Sequence, residues 1–88
     1  MVTRKDIGAR VLLRRRELGM TQAELGEQAG CPYQVISRLE SGRQSVLAER
    51  LAALAQALGV SADFLLGLPE PSKQEDSKSA GRSGSNTV

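Results

Sequence analysis

Glycines at positions 19, 30, 42 and 59 divide the first 60 residues of this 88-residue chain into short segments. Apolar residues within the segments recur every three or four positions, as they do on one face of an α-helix, and glycine is a common residue at helix ends. A length below about 100 residues allows one small core. The pattern therefore predicts a single domain of short helices, and strands are not expected because long alternating β-branched runs are absent.

Two helices are predicted in the first 30 residues. Helix 1 covers residues 4–18 and ends at Gly19, and helix 2 follows Thr21, whose capping box is completed by Glu24 three residues later. The residues expected to face inward are Ile7, Val11 and Leu18 in helix 1 and Leu25 and Ala29 in helix 2.

Three further helices are predicted between residues 32 and 67. Pro32 opens helix 3, where its missing N–H has no cost, and Ser61 caps the short helix 5. Apolar residues expected in the core are Leu47, Leu51, Leu54, Ala55 and Leu58 of helix 4 and Phe64 and Leu65 of helix 5. Residues 1–68 are assigned to the domain, and residues 69–88 are expected to form a disordered polar tail, because they offer almost nothing apolar to bury.

Composition argues against several classes of protein. One cysteine and no histidine leave no disulfide framework, and neither a metal nor another cofactor is expected. Without histidine or a carboxylate cluster there is no evident general base, so an enzyme is not expected. No stretch of roughly 18 apolar residues and no secretory signal occurs, which predicts a cytoplasmic protein that does not enter a membrane.

Positive charge is concentrated near the start of the chain. The net charge is +2, and residues 4–16 contain six basic residues against Asp6 alone. Such a cluster suits an anionic partner such as DNA, but it also occurs on an ordinary solvated helix face. Charge alone leaves both interpretations open.

Helix 3 has one apolar and one polar face. Gln34, Ser37, Arg38 and Ser41 recur at helical spacing opposite Val35, Ile36 and Leu39, and Tyr33 lies in the first turn. In a helix-turn-helix, the N-terminal part of the second helix contacts base edges in the major groove. Glutamine can pair with adenine and arginine with guanine, while the tyrosine ring can contact a thymine methyl group. Considered alone, the polar face of this helix would be interpreted as an ordinary solvated face.

A family resemblance favours DNA binding. The run TQAELGEQAGCPYQVISRLESGRQ, followed by LAALAQALGVSADFLLG, resembles the lambda-repressor-like helix-turn-helix family, also called the XRE or Cro/phage-repressor type, over about residues 4–67. Its specific matches include GMTQ at 19–22, ISRLE at 36–40 and LGVS at 58–61. The resemblance implies an all-α, compact five-helix DNA-binding domain whose helices 2 and 3 form the helix-turn-helix. Cys31 and Pro32 depart from the family pattern, since a serine cap is usual there.

The resemblance also assigns roles to individual residues. Contacts to double-stranded DNA are expected from Thr21, Gln22, Tyr33, Gln34, Ser37, Arg38 and Arg43. Arg15 and Glu40 are expected to form a structural ion pair between helix 1 and the end of helix 3. A dimer interface is expected from Val46, Leu47, Ala62 and Leu65.

The function implied is a sequence-specific transcriptional regulator, a repressor, that binds a palindromic operator as a homodimer. Two alternatives stay open at this point: a restriction-modification controller, and an antitoxin that binds a toxin protein as well as its own operator.

Overall fold

The computed structural model describes residues 2–69, so the predicted tail lies outside the described residues except for Pro69. Five α-helices follow one another in this part of the chain, and it contains no strand. The prediction of an all-α, five-helix fold is confirmed. The helices are α1 (Arg4–Glu17), α2 (Gln22–Ala29), α3 (Tyr33–Glu40), α4 (Ala48–Leu58) and α5 (Ala62–Leu66).

Three of the five helices begin with a side-chain cap. Thr3 and Asp6 form a capping box at α1, Thr21 and Glu24 form the predicted one at α2, and Ser61 accepts the Phe64 N–H at α5. Hydrogen bonds from the backbone and the side chain of Thr3 lower the pKa of Asp6 below its usual value. The N-cap residues of α3 and α4, Pro32 and Leu47, make no side-chain cap. The first turns of these two helices therefore have backbone hydrogen bonds, from Val35 N–H to the Pro32 carbonyl and from Leu51 N–H to the Leu47 carbonyl, but no side-chain cap.

A glycine with positive φ follows each helix, at positions 19, 30, 42, 59 and 67. The conformation matters most at Gly42, because the chain that reverses there runs back against the start of α1. A Cβ on Gly42 would lie 2.9 Å from Cγ and 3.1 Å from Cα of Lys5. Glycine at position 42 is thus required both by its φ of 77° and by this close approach.

The core lies where α1 crosses α3 and the pair α4 and α5 closes over α2 and α1. Two further glycines allow this contact: a Cβ on Gly8 would overlap the Leu39 carbonyl oxygen, and one on Gly26 would overlap that of Cys31. Cys31 itself is half-buried and packs against the core. The fully buried side chains are Val11, Leu25, Ile36, Leu39, Leu54, Leu58 and Leu65.

Two leucines predicted to face inward are exposed, and both predictions are wrong. Leu18 is 44% exposed, because α1 has ended before it and the reversal at Gly19 brings Met20 against the core instead. Leu47 is 72% exposed, because it is the N-cap of α4 and precedes the apolar stripe of that helix. Among residues 2–69, no helix has the length and apolar character needed to cross a membrane.

Candidate nucleic-acid interface

The two faces of α3 have opposite environments. Ile36 and Leu39 are fully buried on one side. On the other side Gln34 and Arg38 are exposed and Ser37 is half-buried. Burial of the apolar face against α1 and α2 fixes the rotation of the helix about its axis, so its polar side chains present one defined surface.

The first turn of α3 is exposed to solvent. Pro32 is the N-cap with extended backbone angles, so the helix starts at Tyr33, one residue later than predicted. Tyr33 is 53% exposed and Gln34 next to it is exposed. The two side chains at this end are therefore accessible to a partner.

The start of α2 offers backbone donors beside this surface. The Thr21 hydroxyl accepts the Glu24 N–H at 3.0 Å, and the Glu24 carboxylate accepts the Thr21 N–H at 2.8 Å. Capping thus leaves the backbone N–H groups of Gln22 and Ala23 without an intrahelical acceptor. A helix N-terminus with free N–H groups attracts an anion such as a phosphate.

A buried ion pair lies directly behind these donors. Nε and Nη2 of Arg15 donate to the two carboxylate oxygens of Glu40, the Nη2 bond being 3.0 Å, and Nη1 donates to the Met20 carbonyl at 2.8 Å. The Gln22 amide also donates to Glu40, at 3.1 Å. The hydrogen bond with Glu40 raises the pKa of Arg15, while burial opposes that shift. The ion pair joins α1, the start of α2 and the end of α3.

The last turn of α3 and the loop after it each carry one oriented arginine. We define the α3–α4 loop as residues 41–47. Within it, Nε of Arg43 donates to the Ser41 hydroxyl at 3.0 Å. Nε of Arg38, on the last turn of α3, donates to the side-chain oxygen of Gln44 at 2.9 Å. Gln44 was not among the predicted site residues, although its position two residues after Gly42 could have indicated that the loop returns to α3.

A groove of about 260 Å³ is lined by residues of α1, α2 and the end of α3. Its floor contains the buried ion pair, and its rim contains the polar side chains of α2 and α3. Two of the predicted DNA-contact residues, Gln22 and Ser37, thus line the groove. Its lining residues are Leu12, Arg15, Arg16, Gln22, Ser37, Glu40 and Ser41.

The basic cluster of α1 is partly used inside the domain. Nε of Arg14 donates to the Leu58 carbonyl at the end of α4, at 3.0 Å, and Arg15 is buried with Glu40. These two arginines satisfy carbonyl or carboxylate groups of other helices. The cluster is consequently neither a uniform solvated face nor a uniform anion-binding surface, and its exposed cations are Arg4, Lys5 and Arg16.

The residues predicted for a dimer interface do not share one environment. Leu47 is 72% exposed, while Val46 and Ala62 are half-buried. Leu65 is fully buried and contributes to the core. A buried side chain cannot contact a second chain without unfolding, so Leu65 is removed from the predicted interface.

Comparisons with known proteins agree with this geometry. The family model described as "Helix-turn-helix" matches residues 12–65. An uncharacterized HTH-type transcriptional regulator, y4dJ of Sinorhizobium fredii, is 44% identical over 61 residues, which cover 69% of this chain and 79% of the relative. Another, from Sinorhizobium medicae, is 43% identical over 58 residues, which are 66% of this chain but only 42% of the relative's length.

One of the similar solved structures is a complex with a synthetic operator. The P22 c2 repressor bound to a synthetic operator is 38% identical to this chain, with a TM-score of 0.66, and the match covers 68% of this chain and 91% of the repressor chain. The matching relatives are described as HTH-type transcriptional regulators. The residues matched by the family model, 12–65, include the whole α2–α3 unit described above. This chain therefore belongs to the helix-turn-helix family of XRE-type, DNA-binding transcriptional regulators.

Proposed function

We propose that the chain is a sequence-specific repressor that binds a palindromic operator as a homodimer, with α3 in the major groove. The observation that carries this proposal is the division of α3 into a fully buried face at Ile36 and Leu39 and an exposed face at Gln34 and Arg38. The 38% identity to the P22 c2 repressor supports repression over activation. Double-stranded DNA is then the principal partner, the cytoplasm is the compartment, and no catalysis or cofactor is required.

Base recognition is assigned to four side chains of α3. Gln34 can pair with N6 and N7 of adenine and Arg38 with O6 and N7 of guanine. The Tyr33 ring, exposed in the first turn of α3, can contact a thymine methyl group, and Ser37 can bond either kind of base edge. These groups differ in hydrogen-bonding pattern, so together they distinguish one short half-site from others.

Backbone contacts are assigned to both sides of α3. On one side lie Thr21, Gln22 and the free N–H groups of the α2 N-terminus, which suit a phosphate. On the other side is Arg43, whose guanidinium keeps its terminal amino groups free while Ser41 accepts from Nε. Contacts to phosphates fix the position and orientation of the domain without selecting a sequence.

Dimerisation is assigned to the surface around Leu47. Its exposure is 72%, the largest among the exposed large apolar residues of the described part of the chain. Val46 and Ala62 are half-buried and can extend the contact. A single α3 reads only a few base pairs, so a second copy about one helical turn of DNA away, roughly 34 Å, supplies the rest of the site.

Selection of bound sites from random DNA by the full chain tests the proposal. We expect the recovered sequences to contain an inverted repeat whose half-sites are centred roughly 10 base pairs apart. A Gln56→Ala variant, changed on the exposed side of α4, serves as the control and should recover the same repeat. Recovery of single, asymmetric sites, or of no preferred sequence, would contradict the homodimer or the sequence-specific function respectively.

A further inference from the structure

Gln44 is the only residue of the described chain that holds the side chain of Arg38. Its side-chain oxygen accepts a hydrogen bond from Nε of Arg38 at 2.9 Å. Within residues 2–69 the terminal amino groups Nη1 and Nη2 of Arg38 have no hydrogen-bond acceptor or acidic partner. We propose that Gln44 is a positioning residue that presents the Arg38 guanidinium to a guanine; this rests on the proposed function of α3.

The path of the chain after α3 explains how Gln44 reaches Arg38. The Gly42 N–H donates to the Leu39 carbonyl at 3.1 Å, and the Arg43 N–H donates to the Arg38 carbonyl at 2.9 Å. These two bonds form a Schellman motif, which turns the chain back over the last turn of the helix. The residue that follows, Gln44, is thereby placed beside the side chain of Arg38.

The reversal is reinforced by side chains. The Ser41 hydroxyl donates to the Arg38 carbonyl at 3.1 Å and accepts from Nε of Arg43 at 3.0 Å. Gly42 is packed against Lys5 of α1, so the turn is also fixed from outside the helix. Gln44 therefore accepts from Arg38 within a loop that several bonds hold in place, and it is itself half-buried.

The hydrogen bond from Nε to Gln44 determines which donors of Arg38 remain available for DNA. When Nε is bonded, the planar guanidinium can still direct both terminal amino groups at one target, the geometry of a bidentate bond to guanine O6 and N7. An unanchored arginine on an exposed helix samples many rotamers and loses that freedom only on binding. Anchoring before binding reduces this entropic cost and fixes the plane of the fork.

The chemistry of the acceptor matters as well. A glutamine oxygen is neutral, so it orients Arg38 without cancelling the positive charge that attracts DNA. A carboxylate at position 44 would accept the same bond but would neutralise the guanidinium and repel nearby phosphates. An amide is therefore the acceptor that serves both recognition and attraction.

A double-mutant cycle in the full chain tests this role. Arg38→Ala, Gln44→Ala, the combined variant and Gln56→Ala as the matched glutamine control are titrated against the selected operator and against operators with single-base changes. Arg38→Ala should reduce discrimination at one symmetric pair of base positions by about tenfold or more. Gln44→Ala should reduce it at the same positions, roughly three- to tenfold, and should add nothing in the Arg38→Ala background. Gln56→Ala should leave every value unchanged.

The outcomes separate this inference from the proposed function. Equal weakening by Gln44→Ala on all DNA sequences, or additive effects in the double variant, would show that Gln44 acts on its own and would overturn the inference. If Arg38→Ala leaves discrimination intact while Gln34→Ala reduces it, the inference falls but the proposed function stands. If the unaltered protein shows no sequence preference, both fall. Thermal unfolding of each variant shows whether a loss of binding reflects a loss of fold.

Discussion

Glu40 is the residue at which side chains from α1 and the start of α2 meet the end of α3. Its carboxylate accepts from Nε and Nη2 of Arg15, 25 residues away in sequence, and from the Gln22 amide. Arg15 is only 9% exposed, so its charge depends on Glu40 for compensation. A buried pair of this kind adds little net stability compared with apolar residues, but removal of one partner strands the other.

Glu40→Ala should therefore destabilise the domain by about 3–5 kcal/mol, because Arg15 would keep a buried, uncompensated charge. Urea unfolding followed by circular dichroism measures the change. Glu17→Ala is the control, since it removes only the exposed 3.3 Å pair with Arg14 and should cost less than about 1 kcal/mol. Equal losses in the two variants would mean that the Arg15 guanidinium is solvated in the folded protein.

Gln34 is the residue on which base recognition most depends in the proposed function. Gln34→Ala should cost about 1–3 kcal/mol on the preferred operator and much less on random DNA, because a base-edge contact is lost and phosphate contacts remain. Titration against single-base operator variants should locate one relaxed pair of positions. Full discrimination at every position after this change would mean that α3 docks in another orientation.

At the scale of the secondary-structure elements, the end of α3 is packed against the start of α1. Gly42 turns the chain with φ 77° and lies against Lys5 of α1. Gly19 has a similar φ of 69°, but a Cβ there would meet nothing within 4 Å. Both positions therefore require a residue that tolerates positive φ, but only position 42 also requires a residue without a Cβ.

Gly19→Ala should cost about 1–2 kcal/mol through backbone strain alone. Gly42→Ala should cost more, because the added methyl group would also displace α1 from the end of α3 at Lys5. Unfolding of both variants under the same conditions gives the difference. A Gly42→Ala loss no larger than that of Gly19→Ala would show that Lys5 moves aside without cost.

At the scale of the whole molecule, Leu47 is the residue on which the proposed homodimer most depends. It occupies the N-cap of α4, where serine, threonine, aspartate or asparagine would cap the helix, and it is 72% exposed. An exposed leucine at this position gives the isolated chain neither a cap nor burial. We infer that its contribution is made against a second copy.

Leu47→Ser should stabilise the isolated chain by about 0.5–2 kcal/mol through the new cap and should weaken the homodimer through loss of apolar burial. Unfolding at low protein concentration measures the first effect, and analytical ultracentrifugation measures the second. Leu13→Ser, in a leucine that is 55% exposed on α1, is the control and should leave the dimer unchanged. An unaltered dimerisation constant for Leu47→Ser would remove Leu47 from the interface.

Local sequence signals predicted the elements of this fold and most of their ends. The glycines that terminate helices and the Thr21–Glu24 capping box act within one or two turns, so residues a few positions apart suffice to specify them. The apolar face of α3 was predicted for the same reason, since helical periodicity is a local property. The candidate DNA-contact residues came from the position of this face and from the family resemblance.

Only the tertiary structure decided which of the apolar and charged residues were buried. Leu65 lies in the core while Leu47 does not, Arg14 contacts the Leu58 carbonyl 44 residues away, and Gln44 returns to Arg38. These outcomes depend on where helix axes cross and where a loop lies after its turn. Such geometry is set by the packing of all the helices together, because each helix alone has several faces that could be buried and only the assembled core selects one.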